Sequence, residues 1–144
     1  MNVIKNYNTL FNSLEPIDVI VAKKRVGLGR ILNHYIVYLG NGVFVGNLKG
    51  RVKQVTQIEL YDLLKVYEPV EIRKFTGTQL DAREAIFRVK QKLGQPYSFL
   101  GFNCEHFANW VQYGKETSSQ VTNGFLILAG LITLKLITNG DGKR

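Results

Sequence analysis

The run His34-Tyr35-Ile36-Val37-Tyr38-Leu39, followed by Gly40-Asn41-Gly42 and then Val43-Phe44-Val45, decides the fold. Its first six residues are mostly β-branched or aromatic, which suits a pleated, packed surface and predicts a strand. Gly-Asn-Gly supplies residues that accept the backbone of a tight hairpin, so Val43 to Val45 is the returning strand. Gly50 marks another turn, after which Val52 to Val55 adds a third strand. Upstream, Glu15-Pro16-Ile17-Asp18 reads as a turn leading into a short apolar strand, Val19 to Ala22. The pattern is an antiparallel meander.

Helices are expected around it. Thr56 followed by Glu59 is a capping-box pattern that opens a helix through about Leu64. Val70 to Phe75 reads as a further strand. Thr78 then caps a longer helix, Gln79 to Leu93, with an apolar stripe of Leu80, Ala82, Ile86, Phe87, Val89 and Leu93, stopped by Gly94 and Pro96. Asn103 precedes a last helix, Cys104 to about Tyr113, whose Cys104, Phe107, Ala108 and Val111 fall on one face. The expected class is α+β, a small antiparallel sheet packed against helices.

At 144 residues the chain is long enough for one domain with its own core. The expected layout is a loose, polar lead-in at 1–14, a catalytic domain at 15–121 and an apolar tail at 122–144. The tail is almost wholly apolar from Phe125 to Thr138. As a helix it would be about 21 Å long against a bilayer core of about 30 Å. It therefore enters a membrane surface through residues 124–138 or lies buried on the domain, with membrane association the expectation carried forward. Met1 to Ser13 has no apolar core of a secretory signal. A single cysteine excludes an internal disulfide framework and suits a reducing, cytoplasmic setting.

The net charge of +8 suits either an anionic partner or a solubilising surface. Its densest stretch, Lys23, Lys24, Arg25 and Arg30, reads as a loop without the aromatic interleaving of a nucleic-acid platform, so no nucleic-acid partner is expected.

One thiol and two histidines bound the chemistry. Three such residues, two of them on opposite sides of one helix, do not make a tetrahedral metal site, and no cofactor is expected. A lone thiol is either an inert core residue or a nucleophile. Cys104 stands at the first position of a capped helix, where N–H groups and the helix dipole favour a thiolate and can donate to an oxyanion. A nucleophile needs a proton acceptor. His106 lies about 200° around the helix from Cys104 and is expected to pack or hydrogen-bond locally. His34, at the start of its strand, is either that acceptor or a polar strand residue.

At these residues the chain resembles a known family. Asn103-Cys104-Glu105-His106-Phe107 is similar to the NCEHF motif of lecithin:retinol acyltransferase-like proteins, and His34 to Gly42 is similar to their H-box. Gly94-Gln95-Pro96-Tyr97, Tyr113-Gly114 and Ser119-Gln120-Val121 extend the likeness from about Glu15 to Val121. That family is a circularly permuted form of the NlpC/P60 thiol-hydrolase superfamily, so the resemblance implies a papain-like fold. It also implies a mechanism. Cys104 attacks an acyl ester, usually of a phospholipid, the acyl group passes through a thioester to a second acceptor, and His34 moves the protons. In the animal lipid enzymes a second His follows on the returning strand, where this chain has Gly46. Asn47, next along, is the candidate third member, since an Asn carbonyl can orient an imidazole. A bulge at Gly46 would be needed to put it on the right face. Two other functions remain open: an amidase or peptidase of the NlpC/P60 type, and a catalytically weak membrane-associated adaptor. Picornaviral proteins also carry this H-box and NC pair without an established enzymatic role, so the motif does not guarantee catalysis.

Overall fold

The computed structural model describes residues 2–27, 33–48, 50–96 and 103–116, together with positions 118, 119, 122, 126 and 135. Five strands form one antiparallel sheet: β1 (Val19–Lys24), β2 (Asn33–Gly40), β3 (Val43–Leu48), β4 (Arg51–Val55) and β5 (Tyr67–Arg73). Their spatial order is β4-β3-β2-β1-β5. The expected meander runs from β1 to β4. Then α2 (Gln57–Val66) carries the chain across to the opposite edge, where β5 pairs with β1. The α+β reading is borne out.

The tight turns follow from their residues. Gly40, Asn41 and Gly42 all have positive φ, a backbone that Gly and Asn adopt at least cost. At this same end of β2, beside Tyr38, Asp18 is fully buried. Its carboxylate accepts from the Glu15 and Phe75 amides at 2.9 Å each and from Lys74 Nζ at 2.5 Å, tying the first turn to the end of β5.

Helices cover both faces of the sheet. On one face Val19, Val21, Tyr35, Val37, Val45 and Val52 pack with α3 (Gln79–Lys92) and α4 (Cys104–Tyr113) through Ala85, Val89, Phe107, Ala108 and Val111. On the other, Ile20, Ile36, Phe44 and Val55 pack with Leu60 and Leu64 of α2. Successive strand side chains alternate between faces, which assigns every residue of β2 to one core or the other.

Three expectations are corrected. The lead-in is a helix, α1 (Asn2–Asn12), whose Tyr7, Leu10 and Phe11 pack on the α2 face of the sheet. Of the expected α3 stripe, only Val89 is fully buried and Ala82 and Ile86 partly so; Ala85 completes the buried face. Leu80 is 65% and Phe87 61% exposed, and Leu93 is exposed as well. In the basic stretch, Lys23 and Lys24 belong to β1, and the Arg25 guanidinium bonds to the Tyr7 hydroxyl and the Leu64 carbonyl. Arg30 lies outside the described residues. So does the tail, apart from isolated positions. Among the described residues no helix is long and apolar enough to cross a membrane.

Candidate active site

The nucleophile's helix is capped as its sequence requires. Asn103 Oδ1 accepts from the backbone N–H groups of Glu105 at 2.9 Å and His106 at 3.0 Å, and the Asn103 N–H donates to His106 Nδ1 at 3.1 Å. This reciprocal box uses His106 locally, as expected. It also engages two of the amides expected to face an oxyanion, while the Cys104 N–H next to the sulfur stays outside the cap. Glu105, 4% exposed, is held by the hydroxyls of Ser118 and Ser119 at 2.6 Å each, and Asn103 Nδ2 donates to Ser118.

Cys104 is buried among Val21, Tyr35 and Phe107, and its thiol donates to the Asn33 carbonyl at 3.5 Å. Pairing between β2 and β3 runs from Gly40 only as far as Ile36↔Gly46, so the thiol lies beside strand backbone that β3 does not cover. Burial pushes the thiol up to about 11, although backbone hydrogen bonds from Tyr35, Glu105 and Cys104 itself pull the other way. The expected helix-terminus effect is present and is outweighed by desolvation.

His34 is on the strand that the sulfur touches, but on the other face. It pairs with Ala22 across β1 and shares its side of β2 with Ile36, whereas Tyr35 faces Cys104. Its ring lies against Tyr67, with centroids 5.3 Å apart and planes tilted by 33°. His34 Nε2 is buried without a hydrogen bond, and burial lowers the imidazole to about 4. The thiol thus donates to a main-chain carbonyl and not to the expected imidazole.

Asn47 is buried on β3. The register passes through Gly46 without a bulge, from Ile36↔Gly46 on one side and from Gly46↔Lys53 to Asn47↔Val52 on the other. Asn47 therefore shares the face of Val45 and Val52, which is the Cys104 face. Gly46 shares the face of Ile36 and Val55, whose side chains a Cβ at Gly46 would meet at 3.7 and 3.6 Å. Thus Cys104 and Asn47 lie on one face and His34 on the other.

Residues with no expected role anchor the helix that carries the sulfur. The Arg73 guanidinium donates to Gln112 Oε1 at 2.5 Å and Asn109 Oδ1 at 2.9 Å, and lies over the rings of Tyr35 and Tyr113 at 5.7 and 5.1 Å. Gln112 donates back to the Ile17 and Arg73 carbonyls. This fork fixes α4, and with it Cys104, against β5. The signal available in sequence was the polar pair Asn109 and Gln112 on the side of α4 that adjoins its apolar stripe.

Among the described residues no group of His, Cys, Asp and Glu could hold a metal ion. The family model described as Lecithin retinol acyltransferase matches residues 13–117. Human Phospholipase A and acyltransferase 2 is 38% identical over 60 residues, a stretch covering 38% of this chain and 37% of that relative.

Proposed function

The chain belongs to the lecithin retinol acyltransferase family, and on that premise we propose that it transfers or hydrolyses the acyl groups of phospholipid esters through Cys104. The observation that carries this reading is the placement of the chain's one thiol. It stands at the first position of a capped helix, hydrogen-bonded to the strand that bears His34.

Cys104 Sγ forms a bond to the ester carbonyl carbon, and the thiol proton passes to His34. The tetrahedral oxyanion takes a hydrogen bond from the Cys104 N–H. Collapse breaks the ester C–O bond, and the imidazolium returns the proton to the departing alkoxide, leaving an acyl-thioester and a lysolipid alcohol. Water or a second alcohol or amine then gives up a proton to His34 as it attacks the thioester, and the thiol is regenerated.

This chemistry requires the imidazole to reach the sulfur's face. The start of β2 suits such a change, because Asn33 to Tyr35 are paired with β1 and not with β3. Turning over that segment places His34 on the face that already holds Cys104 and Asn47, so one backbone rotation assembles all three. Asn47 then orients the ring. The described arrangement is the resting form, with both reacting groups neutral.

The test is turnover of a phosphatidylcholine with labelled acyl chains. Release of labelled fatty acid or acylated acceptor is expected from the native chain, none from Cys104→Ser, and about 100-fold less from His34→Ala, in line with the usual contribution of a general base. No turnover of any phospholipid by the native chain contradicts it. Such a result selects the adaptor reading, which the opposed faces and the raised thiol pKa specifically favour. Turnover of peptide amides in place of lipid selects the amidase.

A further inference from the structure

His34 and Tyr67 meet across a strand that separates them. β2 and β5 flank β1, so the two residues are separated by about twice the 4.8 Å strand spacing. Both are large rings, and between them on β1 stands Ala22, paired with His34 on one side and with Pro69 on the other. A methyl group leaves room for the rings to lean over β1 and touch, at 5.3 Å between centroids. A bulge between Val21 and Ala22 shifts the β5 register, so that Tyr67 pairs with Lys24 on the His34 side of the sheet.

The contact has a further property. His34 Nε2 is enclosed and makes no hydrogen bond in this position. A buried imidazole nitrogen without a partner is unfavourable, so apolar and ring contact holds the side chain here. Tyr67 supplies the ring contact.

We propose that Tyr67 is a positioning residue that parks the His34 imidazole on the face away from Cys104, so that reaction requires the His34–Tyr67 ring contact to break. This rests on the reading of His34 as the base of Cys104. A general base turned to the wrong face contributes nothing. Release of the ring therefore raises the reactivity of the thiol before any substrate is present.

The experiment follows alkylation of Cys104, the chain's one cysteine, by iodoacetamide at pH 7.5 in the full-length protein, alongside the His34 ring-proton resonances. Tyr67→Ala is expected to abolish the ring-current shift on His34 and to speed alkylation about tenfold or more, within the range a general base supplies. The gain is expected to vanish in His34→Gln/Tyr67→Ala, which separates release of the base from simple loosening of the fold. Tyr67→Phe, which keeps the ring and the packing, is expected to retain both the shift and the slow rate. An unchanged rate in Tyr67→Ala, or a faster rate that survives removal of His34, overturns the assignment. So does a Tyr67→Phe chain that behaves like Tyr67→Ala. None of these readouts uses a lipid, so their outcome is separate from whether the chain turns over phospholipid.

Discussion

The Cys104 thiol and the His34 imidazole approach one strand from its two faces, the sulfur donating to the carbonyl of Asn33 at 3.5 Å and the ring lying on Tyr67. Neighbours in the strand are thereby divided between two cores. Both groups are neutral near pH 7, the thiol because burial holds its pKa at about 11 and the imidazole because burial lowers it to about 4. Their resting state is chemically quiet.

That quiet state is measurable at the sulfur. A shift from the ordinary 9.0 to about 11 is two units, so native Cys104 should alkylate about 100-fold more slowly at pH 8 than the same thiol in urea-unfolded chain. The native rate should keep climbing beyond pH 10. Equal rates in the two states would show that the sulfur is not held protonated by its surroundings.

The histidine sets an acid limit on stability. With its pKa lowered from 6.5 to about 4, the unfolded chain binds a proton between those values while the folded chain does not. Stability is therefore full above pH 6.5 and falls as the pH drops toward 4, by about 2 kcal/mol after allowance for partial exposure of the ring. Urea midpoints at pH 7 and pH 4.5 should differ by that amount more in the native chain than in His34→Phe, which keeps an aromatic ring on Tyr67 and cannot titrate.

Asp18 closes the first turn onto the end of β5, and its carboxylate has three donors in a fully buried position. Asp18→Ala strands the amides of Glu15 and Phe75 and should cost about 2–4 kcal/mol in urea unfolding. Asp18→Asn keeps an acceptor and should cost less than half as much.

Asn103 serves the helix and the segment after it at once. Asn103→Ala should destabilise the chain by about 1–2 kcal/mol. It should also free the Glu105 and His106 amides and speed hydrogen exchange at both. Asn103→Asp, which still caps, should restore most of the stability.

Much of this architecture was legible because local chemistry and fold agree. Gly40-Asn41-Gly42 makes the hairpin, the Thr56–Glu59 and Thr78–Asp81 pairs form the caps of α2 and α3, and Asn103 begins α4. α1 was missed although Tyr7, Leu10, Phe11 and Leu14 have the i, i+3, i+4, i+7 spacing, because its asparagines mask the stripe. Leu80 and Phe87 were misplaced because an apolar residue on a helix need not face the core. The division between Cys104 and His34 was not legible at all. β2 is covered by helices on both faces, so Tyr35 to Leu39 form an unbroken apolar and aromatic run and the pattern does not say which face meets which helix. Asn47 suffered the same ambiguity. Only the register through Gly46 put it beside the sulfur's face, while Gly46, where the animal enzymes carry their second His, lies on the face of His34.

The most direct measurement is intact mass and peptide mapping of the chain after brief incubation with phosphatidylcholine vesicles. A hydroxylamine-sensitive acyl adduct on Cys104 is expected, absent from Cys104→Ser and formed about 100-fold more slowly in His34→Ala. A chain that turns over the lipid without ever carrying an acyl group on Cys104, or that acylates equally fast without His34, would contradict it.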